Sequence, residues 1–375
     1  MILKELKYRS PNWSIASGTI HDDFVAFENI NLIVGRNASG KTRFIDVVRW
    51  ISDLLDSDAN EANSNSYAFE LLFQNNKDEI RYDVFSDDNA HINQENLIFN
   101  NEVKLNRKKG LLYYENFGQN LPFETDNYLL AINRRDYLQQ PFFETLHNWG
   151  RNLSHYSFGG NMGKGQYKMD DWEDTNKINF KNFNKVNVIF NAGRVKFKEE
   201  YERKIIEDME TIDYHITSIM IDSASKYLFL KVQEKDLQLW TYFENMSQGM
   251  ARAFSLLVQL NYSLMAKIPS CILIDDIGEG LDYERSRSLI ELIIKKVEGS
   301  NIQLFMTTND RFVMNSVPLK YWSVIHREGN KSVFYNYQNS KKTFDDFAFT
   351  GLNNFDFFAT DFYRMGFEEF IETAQ

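Results

Sequence analysis

The chain holds a single cysteine, Cys271, in 375 residues, which excludes an internal disulfide framework and any cysteine-based zinc site. That thiol lies inside an apolar run and serves there as a small hydrophobe. An excess of positive charge is also missing: 42 Lys and Arg stand against 53 Asp and Glu, a formal charge of −11. General affinity for nucleic acid needs a positive field, so this balance argues against it while leaving a local patch open. The short basic clusters Arg107-Lys108-Lys109 and Arg134-Arg135 read as solvated faces. No stretch approaches 18 uncharged apolar residues, and Met1-Ile2-Leu3-Lys4-Glu5-Leu6 carries charge too early for a secretory segment. A soluble, cytoplasmic protein without membrane contact is expected. Sustained heptads are absent as well, which excludes a long coiled coil.

What remains is ordinary for a globular protein, with 43% hydrophobic and 25% charged residues over a length that can bury a large core. Less ordinary is the aromatic load of 15%, made of 31 Phe, 19 Tyr and 6 Trp and crowded toward the C-terminus. Such a surplus either thickens a core or covers a partner surface.

The most informative segment is Gly35-Arg36-Asn37-Ala38-Ser39-Gly40-Lys41-Thr42, which fits G-x-x-x-x-G-K-[ST]. An apolar, β-branched stretch from Ile30 to Val34 precedes it, and Phe44 to Ile51 follows with the periodicity of an amphipathic helix. Glycines at 35 and 40 let the backbone curl close to a polyphosphate, so that Asn37, Ala38 and Ser39 can aim amides at its oxygens. Lys41 supplies a mobile positive charge, and Thr42 offers a hydroxyl to Mg²⁺. A nucleoside triphosphate is the expected ligand.

Along the rest of the chain, residues 1–34 alternate like antiparallel strands, the phosphate-loop helix runs over 43–56, and Asp56 to Ser66 is a polar loop. Phe69 to Phe73 and Glu79 to Phe85 form a hairpin, the start of an inserted β-rich lobe. Tyr128 to Ile132 is expected as a buried strand, followed by a drift toward helix from Asn133 to Trp149. Gly159-Gly160, Gly163 and Gly165 mark a loop within 150–185. Val195 to Met220 is expected to be helical. Thereafter Ser247 to Met265 reads as a helix, Cys271 to Asp275 as a buried strand, Tyr283 to Lys296 as a helix and Ile302 to Met306 as another buried strand. Apolar strands alternating with helices imply a parallel sheet covered on both faces.

Two further constellations lie in that second half. Ile272-Leu273-Ile274-Asp275-Asp276 is an apolar strand ending in two carboxylates, at the edge where open α/β sheets bind ligands. Asp275 would hold Mg²⁺, and Asp276 stands where an acid can orient attacking water. Some two dozen residues upstream, Ser247 reads as the N-cap of a helix with Gly249 in its first turn, a second anion-facing helix end.

In this order of motifs the chain resembles an ABC-class P-loop ATPase of the RecF, OLD and SMC-head type. The resemblance rests on the phosphate loop, Ser247-Gln248-Gly249 as signature, the acidic strand, Glu279-Gly280-Leu281-Asp282 as D-loop and a switch position after Phe305-Met306-Thr307-Thr308. It implies an α/β fold with a mixed, largely parallel sheet core, an antiparallel β lobe and a small helical or lid insertion. One domain over 1–375 is expected: an N-terminal lobe at 1–132, the insertion at 133–240 and a C-terminal lobe at 241–375. It further implies ATP and Mg²⁺ as cofactors and a head-to-tail homodimer sandwiching two ATPs, with Ser247, Gly249 and Asp282 of one copy facing the nucleotide on the other's Lys41 loop. Three positions depart from the family pattern. Asp276 replaces the usual glutamate, so that Glu279 could substitute and hydrolysis would be slow; Asn309 replaces the switch histidine; and Gln139 is the candidate for the glutamine loop. The compact chain also resembles stand-alone ATPases of bacterial anti-phage defence operons, which implies a separate effector, a nuclease or a toxin. Two alternatives stay open: an ATP-binding scaffold that hydrolyses little and sequesters a toxin-like partner, and a RecF-like DNA repair ATPase. Tyr8, Arg9 and Trp13 are candidates for the adenine, with sheet packing the favoured role.

Overall fold

The computed structural model describes residues 1–18, 24–56, 66–75, 77–134, 136–158, 167–168, 181, 186–224 and 227–367. The expected polar loop after Asp56, the glycine-rich loop and Arg135 lie largely or wholly outside the described residues. The chain divides into two units, Met1–Arg151 with Pro318–Gln375, and Asn152–Val317.

In the first unit, neighbouring strands follow the order Gln119–Pro122, Leu111–Tyr114, Glu102–Asn106, Ile92–Phe99, Glu79–Ser86, Tyr67–Gln74, Ile2–Arg9, Ser14–Ser17, Lys331–Asn336, Trp322–Glu328 and Ile30–Gly35. Pairing is antiparallel through most of it, but Ser14–Ser17 runs parallel to Lys331–Asn336, and Ile30–Gly35 parallel to Trp322–Glu328. Sequence pattern follows position. Ile30–Gly35 is buried at every residue, as a parallel strand covered on both faces must be, whereas Tyr67–Gln74 alternates strictly between buried and half-exposed positions. The expected hairpin of Tyr67–Gln74 with Glu79–Ser86 is present, and it continues into a larger antiparallel lobe.

Helix Lys41–Asp56 buries Phe44, Ile45, Val47, Val48, Ile51, Leu54 and Leu55, one stripe at helical spacing. It packs on helix Pro141–Arg151, and the approach is close: a Cβ on Gly150 would stand 2.7 Å from the Ser52 carbonyl oxygen.

The strand expected at Tyr128 to Ile132 is instead a turn followed by a 3₁₀ helix, Ala131–Arg134. The cause is a buried carboxylate. Glu95, fully enclosed, accepts from the Ala131 and Ile132 amides at 2.7 and 3.1 Å and from the Tyr82 hydroxyl at 2.9 Å. Arg107 pairs with it at 3.1 Å and also donates to the Leu129 and Asp126 carbonyls. Backbone groups satisfied in this way have no need of a neighbouring strand. Burial raises the Glu95 carboxyl above its ordinary value, against the pull of these donors.

The second unit carries the parallel strands Leu153–Ser157, Ser270–Asp275 and Ile302–Thr308, with Ser270–Asp275 in the middle. The last two are buried throughout, and helix Tyr283–Val297 connects them. Helix Gln248–Ala266 is buried over most of its 19 residues because helices Val186–Phe197 and Glu199–Thr211 pack on it. Polar side chains on that contact are paired: Tyr201 donates to the Val258 carbonyl at 2.6 Å, and Asp208 takes Asn261 and Lys296 at 2.6 and 2.8 Å.

The helix expected from Val195 to Met220 is interrupted and then ends early. Lys198 sits at φ 58°, which separates two helices, and after Thr211 the chain turns through Asp213 at φ 60°. Ile216–Ala224 is then a strand, antiparallel to Tyr227–Glu234 in a separate small sheet. Charged residues in helical register stop at Glu210, and β-branched Ile216, Thr217, Ile219 and Ile221 take over, which suits a pleated surface better than a helix. Among the described residues no helix is long and apolar enough to cross a membrane.

Candidate functional site

The first unit holds the phosphate loop. Strand Ile30–Gly35 delivers it and helix Lys41–Asp56 receives it, so the helix opens with its free amides at the loop. Gly35 has no room for a side chain, since a Cβ would lie 2.7 Å from the Ile325 carbonyl oxygen. Gly40 adopts φ 110°, and a Cβ there would run into the Ser332 side chain. The Lys41 ammonium is buried inside the loop, 2.8 Å from the Gly35 carbonyl oxygen and 3.3 Å from that of Arg36. Arg36, Asn37, Ala38 and Thr42 are exposed at the rim, with Ala38 at φ 62°.

The loop is also strapped from behind. Trp13 donates through Nε1 to Ser332 Oγ at 2.9 Å, and that hydroxyl donates to the Ser39 carbonyl at 2.7 Å. Arg36 leaves the loop to pair with Asp361 at 3.0 Å. The Ser39 hydroxyl itself is buried with no hydrogen-bond partner in the structure. A buried ammonium, an orphaned hydroxyl and a helix N-terminus fit a polyphosphate. Tyr8 and Trp13 take the packing role: their rings meet at 5.7 Å, Trp13 is buried, and the Arg43 guanidinium lies 5.5 Å over the indole. Arg9 is exposed on the strand that pairs with Ser14–Ser17.

Gln139 is half-buried, in a segment where the Asp136 carboxylate accepts its amide at 3.0 Å and its carbonyl accepts from Glu115. Its side-chain oxygen is buried and without a partner in the structure.

The second unit holds the remaining motifs. Ser247 caps helix Gln248–Ala266, its hydroxyl accepting the Met250 amide at 3.3 Å. Ser247 and Gln248 are exposed, while Gly249 is buried against the D-loop: a Cβ there would stand 2.6 Å from the Gly280 carbonyl oxygen and 3.0 Å from the Tyr214 hydroxyl. Signature and D-loop therefore form one surface. Arg252, one turn into the same helix, donates to the Glu279 carbonyl at 2.7 Å and fills the space beside Gly280.

Asp275 ends its strand almost fully buried, and Thr307 on the neighbouring strand donates to its carboxylate at 2.5 Å. The same Thr307 hydroxyl accepts the Asp276 amide at 2.9 Å. Asp276 itself is half-exposed at φ 55°, a left-handed conformation that Asp and Asn tolerate better than other side-chain-bearing residues. Such an outlier at the end of a parallel strand is a feature of functional sites. Glu279 and Asn309 are exposed. Asp282 caps helix Tyr283–Val297, accepting the Arg285 amide at 3.0 Å and its guanidinium at 2.8 Å. The Arg285 amide, with its guanidinium, holds the Asp282 carboxyl below its ordinary value. Among the described residues no cluster of three or more His, Cys, Asp or Glu is gathered to hold a metal, which leaves Thr42 and Asp275 as single candidate ligands.

Sequence reasoning missed Thr307, Arg252, Tyr214, Arg285 and Ser332. All five act through partners distant in sequence, and no short motif announces them.

The chain has the fold of SMC head domains. Over 89% of its length it superposes on 97% of an SMC head solved bound to the C-winged helix domain of ScpA, with a TM-score of 0.56 at 12% identity. An SMC head with an extended coiled coil, bound to the C-terminal domain of ScpA derived from Pyrococcus furiosus, matches 92% of this chain and 99% of its own, with a TM-score of 0.52 at 12% identity. Residues 170–315 match the family model described as "AAA domain, putative AbiEii toxin, Type IV TA system". No curated protein matches the chain in sequence.

Proposed function

We propose that the protein binds ATP with Mg²⁺, pairs head to tail with a second copy around two nucleotides, and hydrolyses ATP slowly to control a separate effector in anti-phage defence. One observation carries this reading: Ser247 and Gln248 are exposed at an open helix end whose base is packed on the D-loop. A helix terminus held so firmly, with its polar cap turned to solvent, suits an anion brought by another molecule. The phosphate loop supplies the other half of the reaction centre. Lys41 and the Gly40 cradle would bind the triphosphate, Thr42 and Asp275 would hold Mg²⁺, and Asp276, with Glu279 and Asn309, would orient water at the γ-phosphate. The metal neutralises charge on the transferred phosphoryl group when bound. Thr307 fixes the Asp275 carboxylate and, through the Asp276 amide, the backbone that carries the second acid.

A place in a two-component toxin–antitoxin system is supported by the description of the family model that residues 170–315 match, and a protein partner by the ScpA domains bound to the two SMC heads. The scaffold reading draws on the short Asp276 side chain and on Phe349 and Leu352, exposed by 84% and 43%. The net charge of −11 weighs against a DNA repair role.

The test is ATP turnover and particle mass, by scattering, with and without ATP. Lys41→Ala is expected to lower ATP affinity at least about a hundredfold and to abolish both turnover and ATP-driven pairing. Wild-type protein that stays monomeric with ATP and turns over no faster than Lys41→Ala would remove the proposal. Pairing without turnover would select the scaffold.

A further inference from the structure

Between the signature serine and the D-loop aspartate stands a residue that neither motif contains. Tyr214 lies in the turn that joins helix Glu199–Thr211 to strand Ile216–Ala224. Its hydroxyl lies against the signature turn, in the space a Cβ on Gly249 would approach to 3.0 Å. The Arg285 guanidinium stacks on its ring, 4.6 Å from the centroid. That guanidinium also holds the Asp282 carboxylate at 2.8 Å, and it donates to the Asp213 carbonyl and carboxylate at 3.0 and 2.9 Å. A continuous chain of contacts thus runs from the signature turn at Gly249 through Tyr214 and Arg285 to Asp282.

We propose that Tyr214 is a positioning residue of the signature site, holding the turn at Ser247 and Gly249 in place, and that Arg285 ties that turn to the D-loop through Asp282. The inference deepens the proposed function and rests on it, since Ser247 acts only on a nucleotide held by another copy. The chemistry suits the role. Burial raises the phenol above its ordinary value, so a neutral O–H persists at any working pH. The planar guanidinium can stack and donate at once, which an ammonium cannot.

The test compares Tyr214→Phe and Arg285→Lys with the wild type. Four quantities are measured: ATP affinity of the monomer under conditions that prevent pairing, kcat and KM for hydrolysis, and the ATP concentration that drives dimer formation. Tyr214→Phe keeps the ring and its stacking and removes only the hydroxyl. It is expected to lower kcat about fivefold to tenfold and to raise the ATP needed for pairing, with monomer affinity unchanged within about twofold. Arg285→Lys is expected to move the same quantities in the same direction, and the double variant to fall no further than the worse single one. Unchanged kcat and pairing in Tyr214→Phe overturn the proposal. So does a parallel loss of monomer affinity, which would signal general damage to the fold. Wild-type protein without turnover or pairing overturns the underlying ATPase reading instead, and this inference with it.

Discussion

The two halves of the candidate site are built to opposite plans. The phosphate loop is closed upon itself, with Lys41 buried among its own carbonyls, Ser39 strapped by Ser332 and Trp13, and glycines where any side chain would collide. The signature half is rigid beneath and open above: Gly249 and Arg252 are buried, while Ser247 and Gln248 face solvent. A site that needs only its own chain can finish its contacts internally. One that acts on a neighbour's ligand must keep its polar groups uncovered and rely on support from below.

The contrast can be broken most severely at Gly249. A methyl group there meets the Gly280 carbonyl at 2.6 Å and Leu281 at 2.8 Å, so the D-loop or the signature helix must move. Gly249→Ala is expected to abolish ATP-driven pairing and to cost about 1–3 kcal/mol of stability, while ATP binding by the monomer survives. Scattering and calorimetric titration read these separately, and retained pairing would show that the signature surface is not used. Ser332→Ala attacks the other half. It removes one acceptor and one donor from the buried strap, and about 1–2 kcal/mol of stability should go with them, with ATP affinity of the monomer falling several-fold. Thermal unfolding and the same titration check this; pairing that weakens with no change in monomer affinity would contradict the division of labour.

The smallest effect concerns pH. The Asp282 carboxyl is held below its ordinary value of 3.8, so its helix-capping contribution is fully present above that value and is lost as pH falls through the depressed one. Solvent screening limits the contribution to about 1 kcal/mol or less. Wild type minus Asp282→Asn stability, followed by denaturation from pH 6 to pH 2, should shrink toward zero at the acid end, and a flat difference would show that the charge contributes nothing.

Much of this was legible in the sequence because the relevant physics is local. The fully apolar run Ile30 to Val34 and the glycines at 35 and 40 specify a buried strand and a tight loop without help from elsewhere. Ser247 before a long apolar helix specifies its cap. The failures were not local. Tyr128 to Ile132 has the composition of a strand, but its amides are claimed by Glu95, some 36 residues upstream. The helical charge pattern stops at Glu210, but the positive φ at Asp213 and the partner strand at Tyr227–Glu234 that turn the next residues into a strand are not written in it. Thr307 is invisible as a site residue until the parallel register sets its hydroxyl beside Asp275.

The left-handed backbone at Asp276 bears on which acid the end of this strand can carry. Lengthening the acid to glutamate looks like a repair toward the commoner family residue. Yet aspartate settles at that torsion at less cost than glutamate, whose strain would fall on the strand end that the Thr307 hydroxyl holds through the residue 276 amide. Greater reach would come at the expense of aim.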